Sequence, residues 1–353
     1  YAKTFGLAVV AAAISAVMVA GPADAKRVKW KLHSAWGAAV PHLGTSGVRF
    51  AKNIGRMSGG NFTVKFYEPG ALIPANEGFD ATSKGSIDMA WTTAGYDVGK
   101  YPALAFFTAV PFGPSMGEFF AWKKFGGGDK IQQRIYAKHG IHQMDCFAIG
   151  PETSGWFKNE IKELDQLRGM KMRFFGLGAR VMQKIGVSTQ LLAGGDIFPA
   201  LEKGVIDATE FSMPAMDIKY GFYQIAKNNY FPGWHQQVSV SQLLTNKKKF
   251  DALSDSNKAL LEVGCGDSIH HTYAETEYVN PFAMVEMGEK YGVKTRRWRD
   301  DQLAVFEKAW NEVVAEDSKK DALFKEVNDS YSAFRKAYAK WGGAQSLNPT
   351  YLK

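Results

Sequence analysis

Long hydrophobic runs are almost missing from this chain of 353 residues. Beyond the first two dozen positions no stretch is apolar enough to span a membrane, so the body of the chain does not read as a membrane protein. Cysteine is nearly absent too. Cys146 and Cys265 alone are present, which excludes a cysteine-rich metal cluster and a disulfide-dense scaffold. They lie far apart, and their spacing carries no pairing signal. Cys146 sits in an apolar run and reads as a small core residue rather than half of a bridge. The signatures of common catalysts are missing as well: there is no GxSxG elbow and no HExxH helix. Gly126-Gly127-Gly128 lacks the form of a phosphate loop, and Gly176 and Gly178 lack the third glycine of a dinucleotide fingerprint. His270, His271 and Glu275 share a helix face but offer at most two or three ligands, which reads as a solvated face. With no nucleophile and base to assign, an enzyme is not expected. The net charge of +8 is spread among 35 acidic residues, with no basic stripe interleaved with aromatics, which argues against nucleic acid as a partner.

What the chain does have is apolar mass, 46% of its residues with 13% aromatic. That suffices for a sizeable core, and the length points to two lobes. At the start, Lys3 precedes an apolar run from Phe5 to Ala20, then a Gly-Pro break and the small-residue site Ala23-Asp24-Ala25. This is the pattern of an export signal spanning residues 1–25, with cleavage leaving Lys26 first. Because the chain opens on Tyr, the basic n-region reads as truncated, and the choice between a general and a twin-arginine signal stays open.

Strands and helices alternate in the body, the mark of an α/β lobe with a largely parallel sheet. Val28–Leu32 and Phe62–Tyr67 read as strands around a helix from Pro41 to Met57. His142–Gly150 reads as a strand, with Pro151 at the first crossing between lobes. Met170–Phe174 is a further strand, followed by a helix from Gly176. After the β-rich run Val238–Leu244, long helical segments are expected from Asp255 to Lys290 and from Asp300 to Trp341. Pro281 should kink or split the first of these. An internal repeat is also visible. Phe79-Asp80-Ala81-Thr82-Ser83-Lys84-Gly85-Ser86-Ile87-Asp88 matches Phe198-Pro199-Ala200-Leu201-Glu202-Lys203-Gly204-Val205-Ile206-Asp207, with Phe, Ala, Lys, Gly, Ile and Asp in register. Each copy reads as a helix, a left-handed glycine and a strand. Ligands in such sheets sit beyond the carboxyl ends of the strands. Counting forward from each copy puts Trp91, Thr92 and Tyr96 on one wall of a cleft and Glu210 and Phe211 on the other.

Arg173 closes an otherwise apolar strand. A buried arginine needs a partner, either a protein carboxylate in an ordinary ion pair or the carboxylate of a ligand held by its planar fork. Glu210, with Glu152 and Gln236, could supply oxygens to a hard cation if the lobes close together; solvated strand-end acids are the plainer reading.

The motifs KMRFFGLG, ALEKGVIDATEF and PGWH, together with VGKYPALAFFTAVPFG and SYSAFRKAYAKW, occur in this order. In this respect the chain resembles the extracytoplasmic solute-binding proteins of TRAP transporters, and within them the branch that binds α-keto acids and related carboxylates. The resemblance runs from about Lys29 to Trp341. It implies a two-lobed Venus-flytrap fold, α/β in class, with a long helix shared between lobes. It also implies an arginine gripping the substrate carboxylate, matched by Arg173. In that branch a glutamine, a Glu-Trp pair and a glutamate after Trp-His surround a cation. Here Glu152 stands for the glutamine, Glu210 matches the first glutamate, Phe211 replaces the tryptophan and would offer its backbone carbonyl, and Gln236 stands for the second glutamate. The exchange at 152 and 236 leaves the formal charge of the cage unchanged.

The expectation is therefore a periplasmic solute-binding protein, not an enzyme, that takes a small organic carboxylate. A 2-oxo or 2-hydroxy acid is favoured, with a bound Na or Ca ion and no required cofactor, for delivery to a TRAP membrane permease. The alternative is a ligand-sensing module on the same scaffold that signals to a receptor. Arg173, Glu152, Tyr96, Trp36, Trp91, Glu210, Phe211 and Trp234 are the expected ligand contacts, and Glu152, Glu210, Phe211 and Gln236 the cation ligands. HSAWGAAVPHLG departs from the branch, so His33 and Trp36 either set the ligand or simply pack. Lobe I is expected over residues 26–149 and 238–277, lobe II over 150–237 and 278–300. Residues 301–353 are expected to pack as helices on the lobes or on a second subunit, a swapped-helix homodimer being what the branch suggests and what Pro281, Gly264 and Gly266 put in doubt.

Overall fold

A computed structural model describes residues 27–345; the expected signal segment lies outside the described residues. Two sheets carry the molecule. The first has five strands in the spatial order Phe62–Tyr67, Val28–Ser34, Met89–Thr92, Ser239–Asn246, Ile141–Ile149. Val28–Ser34 runs parallel to both neighbours, whereas Ser239–Asn246 is antiparallel to both of its own. The second has six strands in the order Lys294–Arg297, Asn228–Phe231, Gly155–Phe157, Ala208–Thr209, Lys171–Arg173, Ser188–Gln190. There Gly155–Phe157 is the strand antiparallel to its neighbours. In each sheet the antiparallel strand belongs to a segment that crosses between lobes. The chain leaves the first sheet after Ile149 and enters the second at Gly155; it leaves the second after Phe231 and re-enters the first at Ser239.

The repeat read from the sequence has a structural counterpart. The helices Gly78–Lys84 and Gly194–Glu202 are each followed by a glycine with positive φ, 74° at Gly85 and 70° at Gly204, and then by a strand. Glycine takes that conformation without the steric cost that a Cβ brings. One copy feeds Met89–Thr92 in the first sheet and the other Ala208–Thr209 in the second.

Asp255–Glu289 is one helix of 35 residues, so of the expected kink or split at Pro281 the split does not occur. Pro281 sits on the exposed face, as does Glu277, whose carbonyl is the acceptor the missing N–H would have used. On the opposite face Asn280 anchors the turn: its amide donates to the Thr276 carbonyl at 2.8 Å, and its oxygen accepts from the Ala215 N–H at 3.0 Å. Gly264 does not break the helix either; a Cβ there would lie 2.9 Å from Ile54, so glycine lets the neighbouring helix Gly44–Met57 approach. Near its start the helix packs on Gly44–Met57 and near its end on Pro214–Tyr220, which spans the two lobes. It also covers the free edge of the first sheet, since the N–H groups of Ala148 and Gly150 donate to Thr272 and Thr276 Oγ1. An uncovered strand edge would invite pairing with another chain.

The two cysteines correct a second expectation. Cys146 and Cys265 form a disulfide, with Cα atoms 4.1 Å apart. Strand and helix lie side by side only in the folded chain, which is why spacing carried no signal. Replacing both by alanine is expected to lower stability by about 2–5 kcal/mol, the usual cost of losing a native bridge that closes a long loop. The drop should appear in the urea midpoint of the oxidised wild type against the variant, and an unchanged midpoint would count against it.

Two further helices, Asp300–Lys320 and Ala322–Gln345, end the described chain. The first packs on Gly176–Lys184, beside the second sheet, and the second on the turn Pro102–Phe107 and helix Met116–Phe125, beside the first. The terminal helix thus rests on its own chain, with Phe324, Val327 and Tyr331 buried there. Among the described residues no helix is long and apolar enough to cross a membrane.

Candidate functional site

Between the sheets lies a small cavity of about 30 Å³. The first lobe contributes Trp36, Leu43, Thr93, Tyr96 and Ile149, the second Arg173, Phe175, Phe211 and Ser212, and the crossing segments Glu152 and Gln236.

Arg173 is 1% exposed, and the strand Lys171–Arg173 delivers it there because Met172 points into the core. Its Nη1 donates to Glu210 Oε1 and to the Glu210 carbonyl, both at 2.8 Å, and its Nε to the Leu192 carbonyl at 3.3 Å. Nη2 has no protein acceptor among the described residues. The two sequence alternatives therefore coexist: Arg173 is ion-paired and also lines the cavity with one arm free. The guanidinium lies 5.3 Å from the Phe211 ring and 5.9 Å from the Phe175 ring, within cation–π range of both.

Around it converge buried atoms without partners. Glu210 Oε1 accepts from Arg173 and from the Phe175 N–H, but Oε2 has no hydrogen bond. Glu152 Oε1 accepts from Ser212 at 2.8 Å, and its Oε2 is equally unpartnered. His235 Nε2 lies 3.6 Å from Glu210 Oε2 and 3.9 Å from Glu152 Oε2, beyond hydrogen-bond reach. Gln236 Oε1 is unpartnered too. Donor atoms of Glu152, Glu210 and His235 all fall within 4.8 Å of one another. Polar atoms buried without partners are costly and uncommon, and the grouping of Glu152, Glu210 and His235 is of the kind that could hold a cation. Glu152 and Gln236 are neighbours because the crossing segments pair, the Glu152 N–H donating to the Gln236 carbonyl at 3.1 Å.

Electrostatics separates the carboxyls. Burial raises the pKa of Glu152 well above the ordinary range, and the nearby Glu210 charge raises it further. Burial also opposes ionisation of Glu210, but Arg173, His235 and the Phe175 N–H outweigh it and hold its pKa below the ordinary value. Burial pushes the Tyr96 hydroxyl up to about 12 despite the pull of Arg173, so it remains a neutral donor.

Not every expected contact reaches the cavity. Trp91 is fully buried, stacked on Phe147 at 4.5 Å with its Nε1 donating to the Leu43 carbonyl. Strand Met89–Thr92 lies in the middle of its sheet, so Trp91 packs beneath the floor. Trp234 stacks on Phe306 at 4.8 Å and on Phe112, held by the C-terminal helices rather than by the cleft. These two are corrections to the ligand set, and Glu210, also an expected contact, is not among the cavity-lining residues but pairs with Arg173, which is. Trp36 lines the cavity, whereas His33 is buried with Nε2 facing the Ala75 carbonyl at 3.3 Å. Sequence reasoning missed His235, Phe175, Thr93, Ser212, Ser239 and Ser241. The PGWH motif contains His235, and KMRFFGLG contains Phe175, so both were in view without a reason to select them. The face of His271 and Glu275 is engaged elsewhere, Glu275 Oε2 lying 2.8 Å from His42 Nδ1.

Next to Tyr96, burial pushes Asp97 up to about 7 against the opposing pull of Lys100. A carboxyl raised in the fold keeps its proton where the unfolded chain has lost it. Stability therefore falls as pH rises from about 4 to about 7 and is flat above. Asp97→Asn is expected to remove that slope and to gain on the order of 1–3 kcal/mol at pH 8 but nothing at pH 4. Urea midpoints at the two pH values test this, and equal effects at both would contradict it.

Two α/β lobes joined by crossing strands, closing over an arginine and a cluster of unpartnered ligand atoms, define a ligand-capturing binding protein. Comparison with known proteins makes the assignment specific. The family model described as bacterial extracellular solute-binding protein, family 7, matches residues 34–321, and the chain belongs to that family. It is 31% identical over 322 residues to a monocarboxylate 2-oxoacid-binding periplasmic protein of a Nostoc species, covering 91% of this chain and 88% of that one. Among solved structures it is similar to a TRAP transporter solute-binding protein of Bordetella bronchiseptica, a mixed-occupancy dimer with copurified calcium and picolinate. There the identity is 30%, the TM-score 0.87, and the coverage 90% of this chain and 95% of that one. It is also similar to the TRAP periplasmic solute-binding protein of Pseudoalteromonas atlantica with bound sodium and pyruvate, at 28% identity and TM-score 0.87, covering 91% and 97%. A third, from Colwellia psychrerythraea with bound calcium and pyruvate, gives 28%, 0.86, and 91% and 98%.

Proposed function

We propose that this protein captures a small 2-oxo or 2-hydroxy monocarboxylate together with a sodium or calcium ion in the periplasm, and delivers it to a TRAP-type membrane permease. The observation that carries the reading is the convergence of Glu152, Glu210 and His235, whose donor atoms lie within 4.8 Å of one another, with Glu152 Oε2 and Glu210 Oε2 unpartnered there and Gln236 Oε1 unpartnered on the adjoining segment. Oxygen donors of this kind suit hard cations. The Phe211 carbonyl is a further ligand in this reading, and the exchange of acid and amide between 152 and 236 keeps the charge of the cage.

Among the described residues Arg173 is the one lysine or arginine lining the cavity, and Glu210 already balances it. A ligand with a single carboxylate, its 2-oxygen turned to the cation, fits that charge; a second carboxylate would meet the apolar wall of Trp36, Leu43 and Ile149. Similarity to a 2-oxoacid-binding relative and to pyruvate-bound structures supports the same ligand class. Closure lets both lobes contact the ligand, so binding selects the closed state through contacts that the open state lacks. A thermal-shift screen of 2-oxo, 2-hydroxy and dicarboxylic acids, each with and without Na⁺ and Ca²⁺, tests the reading. Pyruvate or a near relative should stabilise most, and only with a cation. Stabilisation by dicarboxylates alone would overturn it.

A further inference from the structure

Gly95 and Phe175 each follow a strand end that faces the cleft, one in each lobe. Gly95 follows the strand Met89–Thr92 of the first sheet, within the turn Ala94–Tyr96, and Phe175 follows Lys171–Arg173 of the second. A Cβ built on Gly95 would lie 1.9 Å from Phe175 Cζ, 2.4 Å from Cε2 and 2.7 Å from Cε1, and these are its three nearest atoms. Gly95 is not among the residues with positive φ, so its backbone does not call for glycine. The absent side chain is required by a ring that arrives from the other lobe.

The same ring is tied into the binding machinery. The Phe175 N–H donates to Glu210 Oε1, the oxygen that also accepts from Arg173 Nη1. The ring lies 5.9 Å from the Arg173 guanidinium and meets Tyr96 edge-on at 5.8 Å. Tyr96 in turn packs on Trp36 at 5.8 Å. An aromatic path thus runs from the arginine of one lobe, across the cleft, to the cavity wall of the other.

We infer that Phe175 is a latch and Gly95 its socket: insertion of the ring holds the lobes together, and its seating depends on the position of Arg173 and Glu210. Phe175 is accordingly a positioning residue, acting on ligand retention through closure. The inference rests on the solute-binding reading. A two-state element of this kind changes apparent affinity by changing the population of the closed form.

The three atoms nearest a Cβ at Gly95 all belong to Phe175 of the opposing lobe, so Gly95→Val should act on closure, with circular dichroism verifying that the variant folds. Pyruvate affinity in saturating Ca²⁺ should fall on the order of 100-fold, because closure is blocked. Phe175→Ala should raise the dissociation rate roughly 10-fold with little change in association. Combining the two should restore affinity to within about threefold of Phe175→Ala alone, since the blocked ring is gone. A donor and acceptor dye on exposed sites of the two lobes reads closure directly, with and without pyruvate. The expected result is a closed population lowered by Gly95→Val in either condition and recovered in the double variant. Full closure in Gly95→Val, no recovery in the double variant, or a wild type that never closes overturns the latch. A wild type that closes but retains no acid overturns the ligand reading instead, and leaves the Gly95 comparison readable.

Discussion

Arg173→Ala is expected to abolish measurable pyruvate binding. Removing one partner of a buried charge pair costs on the order of 2–5 kcal/mol, or roughly 30- to several-thousandfold in affinity. Two losses combine here. The ligand carboxylate loses the free Nη2, and Glu210 loses the cation that keeps it ionised. Arg173→Lys separates them: the ammonium keeps a charge near Glu210 but cannot bond Glu210 with one arm and the ligand with another. It should fold normally and bind pyruvate far more weakly than wild type. Calorimetry on both variants, with circular dichroism to verify folding, decides the matter. Near-native affinity in either would sink the assignment of Arg173 as the carboxylate anchor.

Removal of the cation should have an effect of similar size. In the ligand cage Glu152 and Glu210 place two carboxyls close together in a buried site, and burial together with the Glu210 charge pushes Glu152 towards its neutral form. A bound Na⁺ or Ca²⁺ would neutralise the pair and offer an open coordination position to a 2-oxygen. Protein stripped with a chelator and exchanged into a sodium-free buffer should therefore bind pyruvate at least ~10-fold more weakly, and added Ca²⁺ should restore it, as linkage between two ligands of one site requires. Ca²⁺ alone should also stabilise the fold, by about 2.7 kcal/mol at a hundredfold excess over its dissociation constant. Glu152→Ala should erase the calcium response while leaving Arg173 and Glu210 paired. Binding indifferent to both ions would remove the cage from the account.

Elements whose cause is local were legible before the fold was known. The helix, glycine and strand of each repeat copy depend on a few adjacent residues, and both copies take that form, with φ of 74° and 70° at Gly85 and Gly204. Arg173 stood out because a charge ending an apolar strand needs a partner, and Glu210 because counting from the repeat put it at an equivalent strand end. Trp91 was chosen by the same counting and Trp234 as part of the PGWH motif, and both are buried beneath the site instead, because position along the chain does not say which sheet face or which later helix a side chain meets. Pro281 shows the limit from the other side: helix propensity opposes it, and packing of Thr276, Asn280, Ala283 and Met287 keeps the helix whole.

The sequence by itself determined the two α/β lobes, the order of their strands and helices, and the charged residues at the strand ends, because each follows from periodicity and residue type within a short window. Tertiary structure alone decided that Cys146 meets Cys265, that one arm of Arg173 is taken by Glu210 and the other left free, that His235 joins Glu152, and that Phe175 fills the space of a missing side chain at Gly95. Each of these is a meeting of atoms from segments far apart in the chain. Such meetings are fixed by how two sheets and a 35-residue helix pack together, which no local pattern records.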